Sequence, residues 1–567
     1  MKSSKLNIFI LAMTAVVMCV LFITRIVQLT VLKSVNGVDL VSYTEIANER
    51  SSITQARRGT IFDSKDQPIA MDTTSYSLFA ILRNADEEVI VKDYDLTAKV
   101  LSENIDLTRD QVLTLLRNPD ANQIEFGEAG RNLSKEVKEK IEEANLPGVY
   151  FASETTRQYI NDFFASHLIG YAKPLLAGEN DDYEDAEILK GQLGIELSYD
   201  EQLSGAKDYR EQWEEANNLN YLSGDDLYLT LDSRLQNQLE DLLNTAITTY
   251  QPKEMGAYLV EVKTGKLIAA AQRPSFNLNT REGIDKEWRN FLTEDAYEPG
   301  STIKILTMSV AYDHNLYQPD EKYHSGTIEI FDTKINDHNL YGWGDITFEE
   351  GLARSSNTAM VTLIERLGEE NWIDELAKFG FGKSTNSGLI NEINGTFSFD
   401  NPVSRYMSSF GQAFSTTPIQ LLQAFTSVAN HGTMVKVQYI EGIGEKNNQY
   451  KVQELGQPIS KEAADHVLGL MVDTVEKDYG TAKSFKSDVV KVAAKTGTAE
   501  IANEDGTGYL TGPNDYTDSV VAFFPADDPK YMMYLYMKQP TDKKGLIGSQ
   551  ILAQTFHPFI ESIYINQ

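Results

Sequence analysis

Residues 298–304 read EPGSTIK, a sharp turn followed by the start of a helix. Pro299 and Gly300 interrupt the preceding segment, and the apolar residues after them predict that a helix begins here. Ser301 then lies at the helix N-terminus, where the dipole and the free N–H groups favour an anionic nucleophile. Lys304 lies one turn along on the same face. An amine beside a hydroxyl can act as its base when burial or a neighbouring cation lowers the pKa of the amine.

A second motif, Ser355-Ser356-Asn357, lies between two runs with helical periodicity, residues 348–353 and 358–367. The residue types are those that proton relay and amide recognition need. The hydroxyl of Ser355 can pass a proton on, and the carboxamide of Asn357 can hold a substrate amide. This motif therefore predicts a loop that faces the same site as Ser301.

A third motif, Lys495-Thr496-Gly497-Thr498, follows an apolar strand. On an exposed strand edge, Gly497 lets a substrate backbone approach. Lys495, Thr496 and Thr498 can bind the carboxylate of that substrate. We therefore expect a substrate-binding strand edge here.

Each motif is weak evidence when taken alone, because a capping serine or a turn glycine is the commoner explanation of each. Ser-x-x-Lys also occurs at residues 204–207, and Lys-Thr-Gly also occurs at residues 263–265 in a hairpin turn. The ordered set at 301, 355 and 495 is more specific. Only these three copies combine a helix start, an inter-helix loop and a strand edge.

Composition limits the classes of protein that fit. The chain has 567 residues and is 41% hydrophobic, which predicts two or three domains with sizeable cores. The formal net charge of −32 argues against a nucleic-acid partner, because phosphate binding needs a surplus of cations. One cysteine, Cys19, and 7 scattered histidines give no metal-ligand spacing, so we expect neither a metal site nor a cofactor.

The N-terminus carries a membrane signal. Residues 6–24 contain no charged side chain, and about 20 apolar residues are enough to cross a bilayer as a helix. We therefore predict a transmembrane helix over 6–26 and a cytoplasmic tail over 1–5, because Lys2 and Lys5 precede the apolar run. The catalytic part would lie outside the cell, on a single-pass protein of the cell membrane. A cleaved signal peptide fits less well, because Arg25 follows where a small-x-small site is needed.

The remaining chain divides into two parts with different patterns. Residues 45–221 are polar and acidic and mix short strands, such as 76–80, with short helical stretches, such as 135–144. From residue 227 a strand, a helix and a hairpin follow one another, and a second hairpin spans 519–537. Strands at both ends with helices between them predict an α+β domain on an antiparallel sheet.

With these motifs, the chain resembles a class B penicillin-binding protein, a monofunctional peptidoglycan D,D-transpeptidase. Other segments are similar to further motifs of that family: residues 58–63 (RGTIFD), 191–200 (GQLGIELSYD), 229–232 (LTLD), 410–412 (FGQ) and 417–420 (TPIQ). The resemblance implies an elongated mixed α/β pedestal (dimerisation) domain over 45–221. It also implies a serine β-lactamase/transpeptidase-like domain over 227–567, an antiparallel sheet with helices on both sides. Ala413 and Ala494 depart from the family, which has glycine at these positions more often.

The resemblance also implies a role for each motif residue. Ser301 would attack the carbonyl between two terminal D-alanines, and Lys304, kept neutral partly by Lys495, would take its proton. Ser355 would bridge the two lysines and return a proton to the leaving D-alanine, and Asn357 would hold the substrate amide. The backbone N–H groups of Ser301 and Thr498 would form the oxyanion hole. Thr496 and Thr498 would bind the substrate carboxylate, beside Gly497.

Several functions share this set of motifs. A class A β-lactamase would need a Glu-x-x-Leu-Asn pattern between 357 and 495, and none occurs. A bifunctional synthase would need a Glu-Asp-x-x-Phe-x-x-His signature before the serine. A D,D-carboxypeptidase usually has another scaffold, and a β-lactam sensor would need several membrane spans. The resemblance favours septal cell-wall synthesis, with an elongation-type transpeptidase or a catalytically silent divisome scaffold as the alternatives. The absence of disulfides and the acidic composition favour a Gram-positive-like cell.

The same resemblance implies the partners. They are peptidoglycan stem peptides on a lipid-linked glycan, β-lactams, the cell membrane through residues 6–26, a polytopic glycosyltransferase and divisome proteins.

Overall fold

The computed structural model describes residues 57–83, 89–174, 189–204, 224–446, 450–503 and 508–565, with Met13, Met18 and two short strands near the N-terminus. Across these residues no helix is both long enough and apolar enough to cross a membrane. The tail predicted over 1–5 lies outside the described residues, as does the helix predicted over 6–26 apart from Met13 and Met18.

The chain forms two compact units. One comprises residues 1–56 and 208–222, in which strand Ser34–Val35 (β1) pairs antiparallel with Val38–Asp39 (β2). The other comprises residues 57–207 and 223–567 and contains all the motifs named above.

The first part of the larger unit, residues 57–204, is called the pedestal below. Its strands are Ile61–Phe62 (β3), Pro68–Ile81 (β4), Gln123–Glu125 (β5), Val149–Tyr159 (β6), Ala172–Pro174 (β7) and Leu189–Gly191 (β8). Its helices are Tyr94–Ser102 (α1), Arg109–Leu116 (α2), Lys135–Glu143 (α3), Ser166–Ile169 (α4), Gly194–Ser198 (α5) and Asp200–Ser204 (α6). The predicted strand 76–80 is part of β4, whose 14 residues make it much longer than expected. Half of its side chains are only half-buried, so the sequence lacks the alternation that reveals a long strand.

A buried ion cluster joins two of the segments on which the family resemblance rests. Glu196 is fully buried and receives hydrogen bonds from Arg58 Nε at 2.6 Å and Arg157 Nε at 2.8 Å. Arg58 also binds Asp200 at 2.6 Å. Burial alone would raise the pKa of Glu196, but the two guanidinium groups outweigh it and hold that pKa below its usual range. Residues 58–63 and 191–200 are therefore locked together by paired charges.

The rest of the unit supplies the larger core. Its strands are Leu227–Leu229 (β9), Glu254–Glu261 (β10), Lys266–Arg273 (β11), Lys322–His324 (β12), Thr327–Ile330 (β13), Thr333–Asn336 (β14), Asp345–Thr347 (β15), Met434–Val435 (β16), Ile440–Ile443 (β17), Glu454–Gly456 (β18), Ala493–Glu500 (β19), Tyr516–Phe524 (β20) and Tyr531–Lys538 (β21). Its helices are Ser233–Tyr250 (α7), Phe291–Glu294 (α8), Lys304–Asp313 (α9), Phe348–Ala353 (α10), Asn357–Leu367 (α11), Glu369–Ala377 (α12), Pro402–Met407 (α13), Pro418–Ala429 (α14), Lys461–Glu476 (α15) and Gly548–Tyr564 (α16).

A five-stranded antiparallel sheet in the order β11-β10-β21-β20-β19 forms the centre. Alternate side chains of β10 enter two different cores, as the period of a strand requires. Ala257 and Leu259 pack with α7 and α16, whereas Tyr258 and Val260 pack on the side of α9, α14 and α15. The predicted α+β domain with helices on both sides of an antiparallel sheet is confirmed.

A second sheet takes strands from both parts of the unit. Its order is β17-β9-β3-β4-β5, with β6 paired to β4. Strand β3 of the pedestal pairs in parallel with β9, where Ile61 lies opposite Leu227. The pedestal and the part with the central sheet therefore share one continuous set of backbone hydrogen bonds.

Candidate active site

Ser301 lies on a tight turn directly before a buried helix. Residues Gly300–Ile303 form a 3-10 turn that continues into α9, and Thr302 Oγ1 donates to the carbonyl of Pro299 at 2.9 Å. Gly300 has a φ of +59°, a conformation that favours glycine. Ser301 is half-buried, and its hydroxyl makes no hydrogen bond with any described residue. The turn thus presents a free hydroxyl at the start of a rigid helix.

Two buried lysines share the hydroxyl of Ser355. Lys304 Nζ lies 2.7 Å from the Ser355 carbonyl, 3.3 Å from Ser355 Oγ and 2.7 Å from Asn357 Oδ1. Lys495 Nζ lies 2.8 Å from Ser355 Oγ and 2.8 Å from the carbonyl of Thr496. Three motifs that are far apart in the sequence therefore meet at one oxygen atom.

Burial changes the protonation of both lysines. Each is 0% exposed, and burial lowers the pKa of Lys304 from 10.5 to about 7, although the charge of Asp337 opposes the change. Burial also lowers the pKa of Lys495 well below its usual value, and the charge of Lys304 lowers it further. An ammonium group has three hydrogens, which matches the three acceptors around Lys304. Loss of one proton near neutral pH leaves a lone pair that can accept a proton from a nearby hydroxyl.

The loop that carries Ser355 is held by a buried carboxylate that the sequence did not reveal. Asp337 accepts from Ser356 Oγ at 2.9 Å, from Gly326 N at 2.9 Å, and from the backbone N–H and the hydroxyl of Thr358, both at 3.0 Å. Ser355 itself has a φ of +61°, which is strained for a residue with a Cβ. Asp337 belongs to no motif, so no signal in the sequence marks it.

Asn357 has a fixed orientation. Its Oδ1 accepts from Lys304, and its Nδ2 donates to the carbonyl of Asn336 at 2.8 Å. It is also the first residue of α11, for which Ser356 is the N-cap. The amide therefore presents a defined face to the site.

The Lys-Thr-Gly-Thr motif lies on β19, the edge strand of the central sheet. Thr496 donates to the hydroxyl of Thr481 at 3.2 Å, and Thr498 donates to Asp518 at 3.1 Å. A Cβ on Gly497 would lie 2.4 Å from the hydroxyl of Ser519, which is too close for an unshifted side chain. The glycine is therefore needed for contacts within the protein itself.

A second carboxyl group, Glu298, lies three residues before Ser301, and the sequence did not indicate a role for it either. Its Oε1 accepts from the backbone of Ala413 at 2.9 Å and from Tyr509 Oη at 3.1 Å. Burial raises the pKa of Glu298 to about 7. Ala413, where the family more often has glycine, takes the left-handed conformation with a φ of +64°. The turn therefore adopts a glycine-like backbone in spite of its alanine.

This arrangement contains the groups that acyl transfer to a serine with a lysine base would require. Residues 255–560 match the model of the penicillin binding protein transpeptidase domain, and residues 53–223 match that of the penicillin-binding protein dimerisation domain. The chain belongs to the penicillin-binding-protein transpeptidase family, as a class B member with both domains. It is a penicillin-binding serine transpeptidase.

Individual relatives cover most of the chain. Stage V sporulation protein D of Bacillus subtilis (strain 168) is 28% identical over 550 residues, which are 93% of this chain and 81% of that protein. Peptidoglycan D,D-transpeptidase FtsI of Escherichia coli (strain K12) is 25% identical over 530 residues, 91% of this chain and 85% of that protein. The crystal structure of penicillin binding protein 2X from Streptococcus thermophilus is similar with a TM-score of 0.72 and 31% identity, over 90% of this chain and 79% of that one.

Proposed function

We propose that this protein cross-links peptidoglycan stem peptides through an acyl-enzyme on Ser301, and that β-lactams acylate the same residue. The observation that carries the proposal is the pair of buried lysines on Ser355 Oγ, one of them with a pKa of about 7. A base of that pKa is half neutral at physiological pH, which is the best compromise between availability and basicity.

The steps follow from the groups around Ser301. Ser301 Oγ attacks the carbonyl between the two terminal D-alanines, and neutral Lys304 takes the hydroxyl proton. The backbone N–H groups of Ser301 and Thr498 stabilise the oxyanion, a contribution of roughly 3–4 kcal/mol per donor in other enzymes. Ser355 Oγ, which both lysines contact, relays the proton of Lys304 to the D-alanine nitrogen as the C–N bond breaks, and Lys304 becomes neutral again. The amine of a second stem peptide then attacks the ester carbonyl and gives a proton to neutral Lys304, which returns it to Ser301 Oγ as the ester C–O bond breaks and the new amide is left.

The motif residues that take no part in proton transfer bind the stem peptide. Asn357 binds the amide of the stem peptide, because its amide orientation is fixed by Lys304 and Asn336. Thr496 and Thr498 bind the C-terminal carboxylate from the edge strand, with Gly497 between them. The free edge of β19 supports this role, since an extended peptide can add to it as a further strand.

The cellular role is proposed from the relatives. A D,D-transpeptidase named FtsI and a sporulation protein among them support septal synthesis. In this proposal residues 6–26 anchor the chain in the cell membrane, 1–5 are cytoplasmic, and 45–221 and 227–567 form the extracellular pedestal and transpeptidase domains. A polytopic glycosyltransferase and divisome proteins are the partners, and elongation is the alternative role.

The test is acylation of the full-length chain, purified in detergent, with a fluorescent penicillin. A stable adduct that mass spectrometry assigns to Ser301, and that Ser301→Ala loses, is the expected result. The matched control is Ser204→Ala, in the other Ser-x-x-Lys sequence of the chain, which should keep the adduct. A folded protein that forms no adduct on Ser301 would contradict the proposed chemistry and favour the silent scaffold.

A further inference from the structure

Thr498 is held by a buried carboxylate on the neighbouring strand. Asp518 of β20 lies directly opposite Thr498 of β19, and it accepts the hydrogen of Thr498 Oγ1 at 3.1 Å. Thr498 is exposed, whereas Asp518 is only 7% exposed. The single hydrogen of an outward-facing hydroxyl is therefore directed into the protein.

The surroundings of Asp518 are closed and carry little compensating charge. Gly548, the first residue of α16, lies so close that a Cβ there would come within 2.0 Å of the carboxyl group. Met537 of β21 lies opposite Asp518 on its other side. Among the described residues, the half-buried Lys543 is the charged group that acts on Asp518. Burial raises the pKa of Asp518, and the hydrogen bond from Thr498 and the charge of Lys543 oppose that rise.

This arrangement conflicts with the binding of an anion at Thr498. A hydroxyl has one hydrogen, so Thr498 cannot donate to Asp518 and to a ligand carboxylate at the same time. Two carboxylates that share one hydroxyl also repel each other, which favours the protonation of one of them. A protonated Asp518 can donate to Thr498 Oγ1, and Thr498 can then donate outward.

We propose that Asp518 is a positioning residue that couples binding of the substrate carboxylate at Thr498 to the uptake of one proton. The proton comes from solvent and is bound by Asp518, and no covalent bond other than its O–H bond is made or broken. The inference rests on the proposed function, in which Thr498 binds the C-terminal carboxylate. It implies that the protein distinguishes a carboxylate ligand from its neutral ester less well as pH rises.

The experiment measures the second-order rate constants for acylation of Ser301 by benzylpenicillin and by its methyl ester, from pH 5 to pH 9, on the full-length chain. The ratio of the two rate constants does not depend on the protonation of Lys304, because the same base serves both compounds. The wild-type ratio should fall about tenfold with rising pH, which corresponds to one hydrogen bond to a charged group. Asp518→Asn can donate permanently to Thr498 and should keep the high ratio at every pH. Asp528→Asn, in the exposed turn after β20, should follow the wild type.

The outcomes test the role of Asp518 separately from the proposed function of the site. A wild-type ratio that does not change with pH overturns the role of Asp518, and this measurement needs no variant. An Asp518→Asn ratio that follows the wild type overturns it as well, provided that Thr498→Val lowers the ratio. If Thr498→Val leaves the ratio unchanged, the carboxylate site of the proposed function is wrong and the inference fails with it. If neither compound acylates Ser301, the proposed catalytic function is wrong.

Discussion

Asn357→Asp should move the pH dependence of Ser301 acylation towards alkaline pH. Only the neutral form of Lys304 can accept the hydroxyl proton, so the wild-type rate should rise with pH and reach half its maximum at about 7. The substitution keeps the shape of the side chain and places a carboxylate oxygen where Oδ1 now lies 2.7 Å from Lys304 Nζ. A negative charge there favours the protonated amine and raises its pKa.

The size of the shift follows from the geometry. Two unit charges about 4 Å apart interact by about 4 kcal/mol at an effective dielectric constant of about 20, which corresponds to about 3 pKa units. Solvent reaches the half-buried Asn357, so we expect about 2 units in practice. At pH 7 the neutral fraction of Lys304 then falls from about one half to about one in a hundred, and the acylation rate falls about fiftyfold.

The assay is the acylation rate with a fluorescent penicillin from pH 5.5 to pH 9.5, with mass spectrometry to locate the adduct. The Asp variant should reach about half of its maximal rate at pH 9. Asn357→Ala is the control, because it removes the same amide without adding charge and should be slow at all pH values. If the half-maximum of the Asp variant stays near that of the wild type, Lys304 is not the titrating base, and the reasoning fails.

Three further changes test other parts of the structure. Glu196→Gln removes the charge that two buried guanidinium groups share and leaves each with one carboxylate, Asp200 or Asp72, so it should lower the free energy of unfolding in urea by about 3 kcal/mol. The exposed Glu136→Gln should change that free energy little. Gly497→Ala should slow acylation about tenfold through its clash with the Ser519 hydroxyl, and adding Ser519→Ala should restore much of the rate; no recovery would refute the clash. Ser355→Ala and Ser355→Gly should both lose acylation. The free energy of unfolding in urea should be about 1 kcal/mol higher for the glycine variant than for the alanine variant, because φ is positive at residue 355.

The sequence predicted the elements that carry each motif because short-range chemistry determines them. The helix predicted after the strand at residue 227 is α7, whose N-cap Asp232 accepts from the backbone N–H groups of Arg234 and Leu235. The two hairpins were predicted from alternating apolar runs with turn residues between them, and they became β10–β11 and β20–β21. The loop of Ser355 lies between helices α10 and α11, as the periodicity indicated.

The buried carboxyl groups around the site could not be predicted in the same way. Asp337, Glu298 and Asp518 matter because of what the fold places next to them. Asp337 and Asp518 lie in stretches with no motif of their own, and Glu298 precedes the Ser-x-x-Lys pattern of Ser301 without being part of it. Burial, not sequence context, shifts the pKa values of Glu298 and Asp518 upwards. Such residues become visible only when strands that are distant in the chain are placed side by side.

The sheet that contains β3, β9 and β17 has a consequence for how the chain matures. Ribosomes produce the chain from its N-terminus, so β3 exists long before β9, which pairs with its edge, and before β17, which pairs with β9. An uncovered strand edge is a template for wrong pairing, and pairings between distant residues form slowly. A prematurely terminated chain that ends before residue 227 should therefore leave an unfinished, aggregation-prone fragment, and not a pedestal that could occupy the place of the complete protein.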